Sequence, residues 1–126
     1  MALRTPLSAA RGLGSAKSGF GHWWMARVTS IALIPLTLWF VFTVASFGSM
    51  DHTAFVAWVR SPMITVLLII TLAVTIYHTM LGLRVIIEDY VHVEWLKVTG
   101  VMIMNFTCVL LLAVGLLATL KIFTSA

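Results

Sequence analysis

The chain has 126 residues, 61% hydrophobic and 10% charged, with a mean hydropathy of +1.08. So few charges cannot coat a globule, which excludes a water-soluble enzyme and predicts an all-α integral membrane protein. The formal charge of +4 is scattered around apolar runs and forms no basic face, so it reports membrane orientation and not nucleic-acid binding.

Residues 1–20 are rich in Gly, Ser and Ala, carry Arg4, Arg11 and Lys17 without an acid, and hold no sustained apolar period. They predict a basic flexible tail ahead of one transmembrane domain over residues 21–126. The tail lacks the apolar core of a secretory signal; its Arg and Ser without acids also match an organellar transit peptide. Three runs free of Asp, Glu, Lys and Arg follow, Val28 to Met50, Ser61 to Leu83 and Val98 to Leu120, each 23 residues long. A helix needs about 20 residues to cross a hydrocarbon core of about 30 Å. The runs therefore predict three spanning helices at about 25–49, 61–88 and 98–121.

In the first helix Pro35 removes a backbone donor and predicts a kink that neighbouring helices tolerate. The segment from Asp51 to Arg60 reads as a connection. The second helix can continue past Leu83, because Arg84 to Tyr90 holds neither Gly nor Pro; the charged residues Glu88, Asp89 and Glu94, with Tyr90 and His92, are assigned to the loop side of that boundary. In the third, Asn105, Thr107, Cys108 and Gly115 are residue types of close helix packing. Cys108 is the single cysteine, so any iron–sulfur chemistry belongs to a partner. Six Lys and Arg flank one side of the spans and two, Arg60 and Lys121, the other, which predicts the N-terminus inside and the C-terminus outside. Trp23, Trp24, Trp58, Tyr90 and Trp95 fall near the interfaces, as aromatic belts do.

His78 is the ionisable group inside a span, and such a group is a functional suspect by default. It lies six residues before Arg84, roughly 9 Å below the inner charged boundary. The stripe from His78 runs through Gly82 and Val85 to Asp89, because steps of four, three and four residues return to nearly one face. An imidazole at that depth serves as an axial ligand to haem iron, as a member of a proton relay, or as a structural histidine bonded to a neighbouring helix. Gly82, with Thr71 and Thr75, keeps the face small for a flat macrocycle or for another helix. His22, His52 and His92 fall outside the predicted spans, so a second axial donor has to come from another chain. At the interface Tyr90 can donate to a quinone carbonyl and Asp89 can orient an Arg or relay a proton, or both serve as ordinary interfacial residues. Arg27 pairs with a carboxylate, such as a haem propionate, Asp89 or Glu88, or snorkels to headgroups. His22 is an interfacial polar residue to which no site role is given.

The run His78-Thr79-Met80-Leu81-Gly82-Leu83, followed by Ile86-Ile87-Glu88-Asp89-Tyr90-Val91, resembles the His, Gly and Asp-Tyr pattern of the smaller membrane-anchor subunit of succinate dehydrogenase, respiratory complex II, in its alphaproteobacterial form. Gly21-His22-Trp23-Trp24 with Arg27 and Thr29 resembles the opening of that subunit's first helix. The resemblance implies a hydrophobic anchor that tethers a flavoprotein and an iron–sulfur subunit to the membrane beside a larger cytochrome b anchor subunit. It implies His78 as one axial ligand of haem b, Tyr90 as a ubiquinone hydrogen-bond donor, Asp89 as support for that site, and Arg27 near the haem propionates or the quinone. FAD and iron–sulfur clusters would lie in the partners, and this subunit alone would not oxidise succinate. The implied location is a bacterial inner membrane or its mitochondrial counterpart. Three other readings stand beside it: the anchor of a quinol:fumarate reductase, a haem-free structural anchor, and a small transporter. The transporter expects further intramembrane charges, which these runs lack.

Overall fold

A computed structural model describes residues 5–7, 19–48 and 51–125 of the chain. The expected tail over 1–20 lies outside the described residues, apart from 5–7 and the helical Gly19 and Phe20. The described residues form helices α1 (Gly19–Ser46), α2 (His52–Val59), α3 (Pro62–Tyr90) and α4 (Glu94–Thr124), with no strand among them. The three long helices have 28, 29 and 31 residues and apolar stretches of mean hydropathy 2.0, 2.1 and 2.5, so each is long and apolar enough to span a bilayer.

All three expected spans are present, with different ends. The first opens at Gly19 rather than near 25 and closes at Ser46, because Gly48 takes a left-handed φ of +48° that a helix cannot continue through. It runs through Pro35 without interruption. Pro62 opens α3, where its missing N–H leaves no helical bond unmade. That helix carries on to Tyr90, two residues past the expected end near 88, as the absence of Gly and Pro from Arg84 to Tyr90 allows, so Asp89 and Tyr90 are helical residues rather than part of the inner loop. Only Val91, His92 and Val93 connect to α4, which begins at Glu94 rather than near 98. Glu94 in its first turn and Lys121 in its last both favour the helix dipole.

The short helix α2 is an addition to the expected architecture, in a segment read as a connection. Asp51 caps it by accepting from the His52 backbone N–H at 2.7 Å and from the Thr53 hydroxyl. Its far end is fixed by Thr65, whose hydroxyl donates to the Val59 carbonyl at 2.6 Å, with Val59 and Thr65 both buried. Trp58 packs edge-on to Phe47 at 4.8 Å and stacks on Trp39 at 6.3 Å, so this aromatic joins α2 to the end of α1 as well as lying at an interface. Eight residues are too few for an isolated helix. Tertiary contact makes this one.

α3 is the central helix. It packs against α1 on one side and α4 on the other, while α1 and α4 make no close backbone approach to each other among the described residues. Of the glycines in α3 and α4, Gly115 is the most closely packed, and an added Cβ there would lie 2.5 Å from Leu72 Cδ2. Cys108 and Met104 are buried in the same helix, whereas Thr107 is exposed within this chain. Arg60 binds the other end of α4, donating to the Ser125 carbonyl and, at 3.0 Å, to its hydroxyl.

Gly115→Ala is expected to destabilise the assembled protein by about 1 kcal/mol through overpacking, and by less in a Leu72→Ala background. Equal losses in both backgrounds, read from thermal unfolding in detergent, would show that the two residues do not meet. The Asp51 carboxyl is held below its usual value, first by the Thr53 hydroxyl and then by the His52 N–H. A lowered carboxyl contributes stability above its unfolded value, near 3.8, and loses it as the pH falls through the folded one. Amide exchange in α2 should thus be faster in Asp51→Ala than in wild type at about pH 7, with the gap closing as the pH is taken below 3.8 and through the folded value. A gap that stays constant would show the charge to be irrelevant.

Candidate functional site

Because α1 and α3 run antiparallel, the first turns of α1 face the last turns of α3. Between them opens a cleft of about 480 Å³, walled by His22, Trp23 and Ala26 from α1 and by His78, Leu81, Gly82, Arg84, Val85 and Glu88 from α3. The His78 to Val85 stripe expected from periodicity is therefore one wall of a cavity. Thr71 and Thr75 continue that stripe outward but line a separate cleft of about 460 Å³ with Thr37, Phe40 and Gly115.

His78 is half-buried, and its Nδ1 lies 2.8 Å from the Thr29 hydroxyl of α1. That contact occupies one ring nitrogen and leaves Nε2 as the other polar edge. One turn on, a Cβ added to Gly82 would meet nothing within 4 Å, so among the described residues no helix packs there and the glycine keeps the cleft open. Across the cleft, His22 Nε2 is buried without a hydrogen-bond partner among the described residues. A buried ring nitrogen without a partner has a desolvation cost that a ligand or another chain would offset.

The structure separates the remaining expected residues. Asp89 is on the His78 face, yet eleven residues on, roughly 16 Å along the axis. Tyr90 is turned roughly 100° from Asp89, is 78% exposed, and lines none of the clefts described here. Both stand at the C-terminal end of α3. Arg27 makes no ion pair with Glu88 or Asp89; its guanidinium lies 5.5 Å from the centre of the Trp23 ring, a cation–π contact at the rim of the cleft. Glu88 is instead paired with Arg84, Nε to Oε1 at 2.8 Å, one helical turn apart and half-exposed.

Three residues of this site were given no site role from sequence. Thr29 appeared only within the run at the start of the first helix, His22 only as an interfacial polar residue, and Arg84 only as the end of an apolar run. His22, Ala26 and Thr29 are spaced four and three apart, so they lie on one face of α1. That spacing was the available signal. Its meaning required knowing which face of α1 meets α3.

A haem, the cofactor implied by the family resemblance, suits this donor set. His78 has one nitrogen engaged and one free, Gly82 leaves room for a flat ring, and His22 Nε2 and Arg84 stand on the cleft as donors for carboxylates. Among the described residues no three His, Cys, Asp or Glu side chains converge, and His78 and His22 are the two histidines that line this cleft.

Residues 1–120 match the family described as succinate dehydrogenase/fumarate reductase transmembrane subunit. The chain is 37% identical to a succinate dehydrogenase hydrophobic membrane anchor subunit of Rickettsia conorii, over 79% of this chain and 80% of that one. It is 30% identical to the protein of that name in Rickettsia bellii, over 91% and 92%. A succinate dehydrogenase membrane anchor subunit of Reclinomonas americana is 32% identical, over 71% and 77%. No solved structure matches with significance.

Proposed function

The chain belongs to the succinate dehydrogenase/fumarate reductase transmembrane subunit family, and from that premise we propose that it is the smaller hydrophobic anchor of a succinate:ubiquinone oxidoreductase in a bacterial inner membrane. It holds a flavoprotein and an iron–sulfur subunit at the membrane beside a larger cytochrome b anchor, and contributes part of a haem b site and part of a ubiquinone site. The observation that carries this reading is His78 in the wall of an open cleft, one turn from an unobstructed Gly82.

His78 would hold the iron of haem b through a ring nitrogen, with a further ligand supplied by the larger anchor. A bound haem supplies one-electron redox chemistry beside the quinone. His22 and Arg84 would hold its carboxylates, and Arg27, kept at the cleft rim by Trp23, stands near them or the quinone. Leu81, 7% exposed, and Val85 keep water from the wall beside His78.

Six basic residues on one side of the spans against two on the other support an inner location for the Tyr90 end of α3. There the Tyr90 hydroxyl would donate to a carbonyl oxygen of ubiquinone, and the Asp89 carboxylate would hold a proton within reach of the same headgroup. Ubiquinone becomes ubiquinol by taking two electrons, delivered from succinate through the FAD and iron–sulfur clusters of the partners, and two protons from the inner side. This chain's share is binding, orientation and proton handling. The family also includes fumarate reductases, which run the reverse conversion; the relatives named above are all succinate dehydrogenase subunits, which favours the direction proposed.

A reduced-minus-oxidised visible spectrum of the purified complex should show a b-type signal that is lost or altered in His78→Ala. An intact complex without haem in either sample would leave a structural anchor as the reading. Tyr90→Phe is expected to lower quinone reductase activity by about tenfold or more, in line with loss of a positioned proton donor, and to weaken inhibitor binding, while succinate oxidation with a soluble electron acceptor persists. Asp89→Asn should slow quinone turnover without blocking assembly. Unchanged quinone kinetics and inhibitor sensitivity in Tyr90→Phe would remove the hydroxyl from the site.

A further inference from the structure

Thr29 is the buried residue of α1, 6% exposed, and its hydroxyl oxygen has three polar neighbours. These are the Met25 carbonyl at 2.8 Å, the Ala26 carbonyl at 3.2 Å and His78 Nδ1 at 2.8 Å. A hydroxyl has one hydrogen to donate and two lone pairs to accept with. Carbonyl oxygens only accept, so a hydroxyl 2.8 Å from the Met25 oxygen directs its hydrogen there. Aiming the hydrogen at His78 instead would leave two oxygens facing each other at that distance with nothing between them. Donor counting therefore assigns the hydrogen of the cross-helix bond to the ring, with His78 Nδ1–H donating to Thr29 Oγ1.

We propose that Thr29 is a positioning residue for His78, fixing the Nδ1–H tautomer and the ring orientation so that Nε2 holds the free lone pair offered to a metal centre in the α1–α3 cleft. The inference rests on the reading of His78 as a haem ligand. An imidazole coordinates through an unprotonated nitrogen, and which nitrogen that is depends on the bond made by the other. Such a bond also raises the basicity of the ligating nitrogen. Thr29 suits the task because its β-branched side chain has restricted rotamers and its own hydrogen is already committed to the preceding turn. The acceptor lone pair is thus held in place before any ligand arrives.

The test uses the assembled complex in wild-type, Thr29→Val, Thr29→Ala and Thr29→Ser forms, read by haem per complex, visible spectrum and haem midpoint potential. Removal of the hydroxyl is expected to weaken haem retention by about 10-fold or more and to raise the midpoint potential, since a less basic imidazole stabilises ferric iron less. Thr29→Ser should restore both. If Thr29→Val or Thr29→Ala assembles with wild-type haem content, spectrum and potential, the positioning role is overturned while the His78 reading stands. If both hydroxyl-free forms fail to assemble and Thr29→Ser succeeds, the hydroxyl is a structural bond between helices and the proposal is likewise overturned. A wild-type complex whose haem signal is absent, or is unaffected by His78→Ala, overturns the His78 reading and this inference with it.

Discussion

A bilayer core holds no water to satisfy a polar group, so each hydroxyl or ring nitrogen inside a span has to find its partner within protein. Most hydroxyls here do so locally. Ser30, Thr37 and Thr43 in α1, Thr71 in α3 and Thr119 in α4 each donate to the carbonyl four residues back. His78 has no such local option, because its ring reaches outward from the helix. Its contact with Thr29 joins residues 49 apart in sequence and makes the α1–α3 cleft a defined site instead of a gap between apolar rods.

The same solvent reverses the usual distribution of side chains. The buried residues include Thr29, Thr65 and Cys108, while Ile31, Phe42, Phe106 and Leu117 point outward. Only 6%, 11% and 11% of the most apolar stretches of the three spans is buried within the chain. Small residues at the contacts let helices approach without a hydrophobic drive between them. The cross-helix bond adds little to that association, since such bonds in membrane proteins average about 0.6 kcal/mol. Its larger consequence is orientation of an imidazole, which a weak but directional bond can set when packing already holds the helices together.

Several groups at the Tyr90 end of α3 are left unfinished by the chain itself. Among the described residues His22 Nε2 is buried and unpartnered, a Cβ on Gly82 would meet nothing within 4 Å, and Tyr90 is exposed at the helix end. Each is a position that a neighbouring subunit would complete in the complex proposed above. That pattern agrees with membership of a family of transmembrane subunits. The opposite ends of the spans are finished: α2, the Trp39, Phe47 and Trp58 cluster and the Arg60 contact with Ser125 close them within the chain.

The sequence by itself determined the three spans, because taking Lys, Arg, Asp or Glu into hydrocarbon is so unfavourable that charged residues mark the span limits. It also determined the His78, Gly82, Val85 and Asp89 stripe, which follows from helical periodicity alone, and the family, which the His78 to Tyr90 pattern carries. Tertiary structure decided what those residues face. Each long helix is apolar on every side, since the lipid-facing surface is as hydrophobic as the packed one, so amphipathic patterning does not reveal which face of α1 meets α3. For that reason Thr29, His22 and Arg84 became candidate site residues, Arg27 settled on Trp23, Tyr90 turned away from the His78 stripe, and eight residues of the Asp51 to Arg60 connection folded as α2, only once the helices were packed.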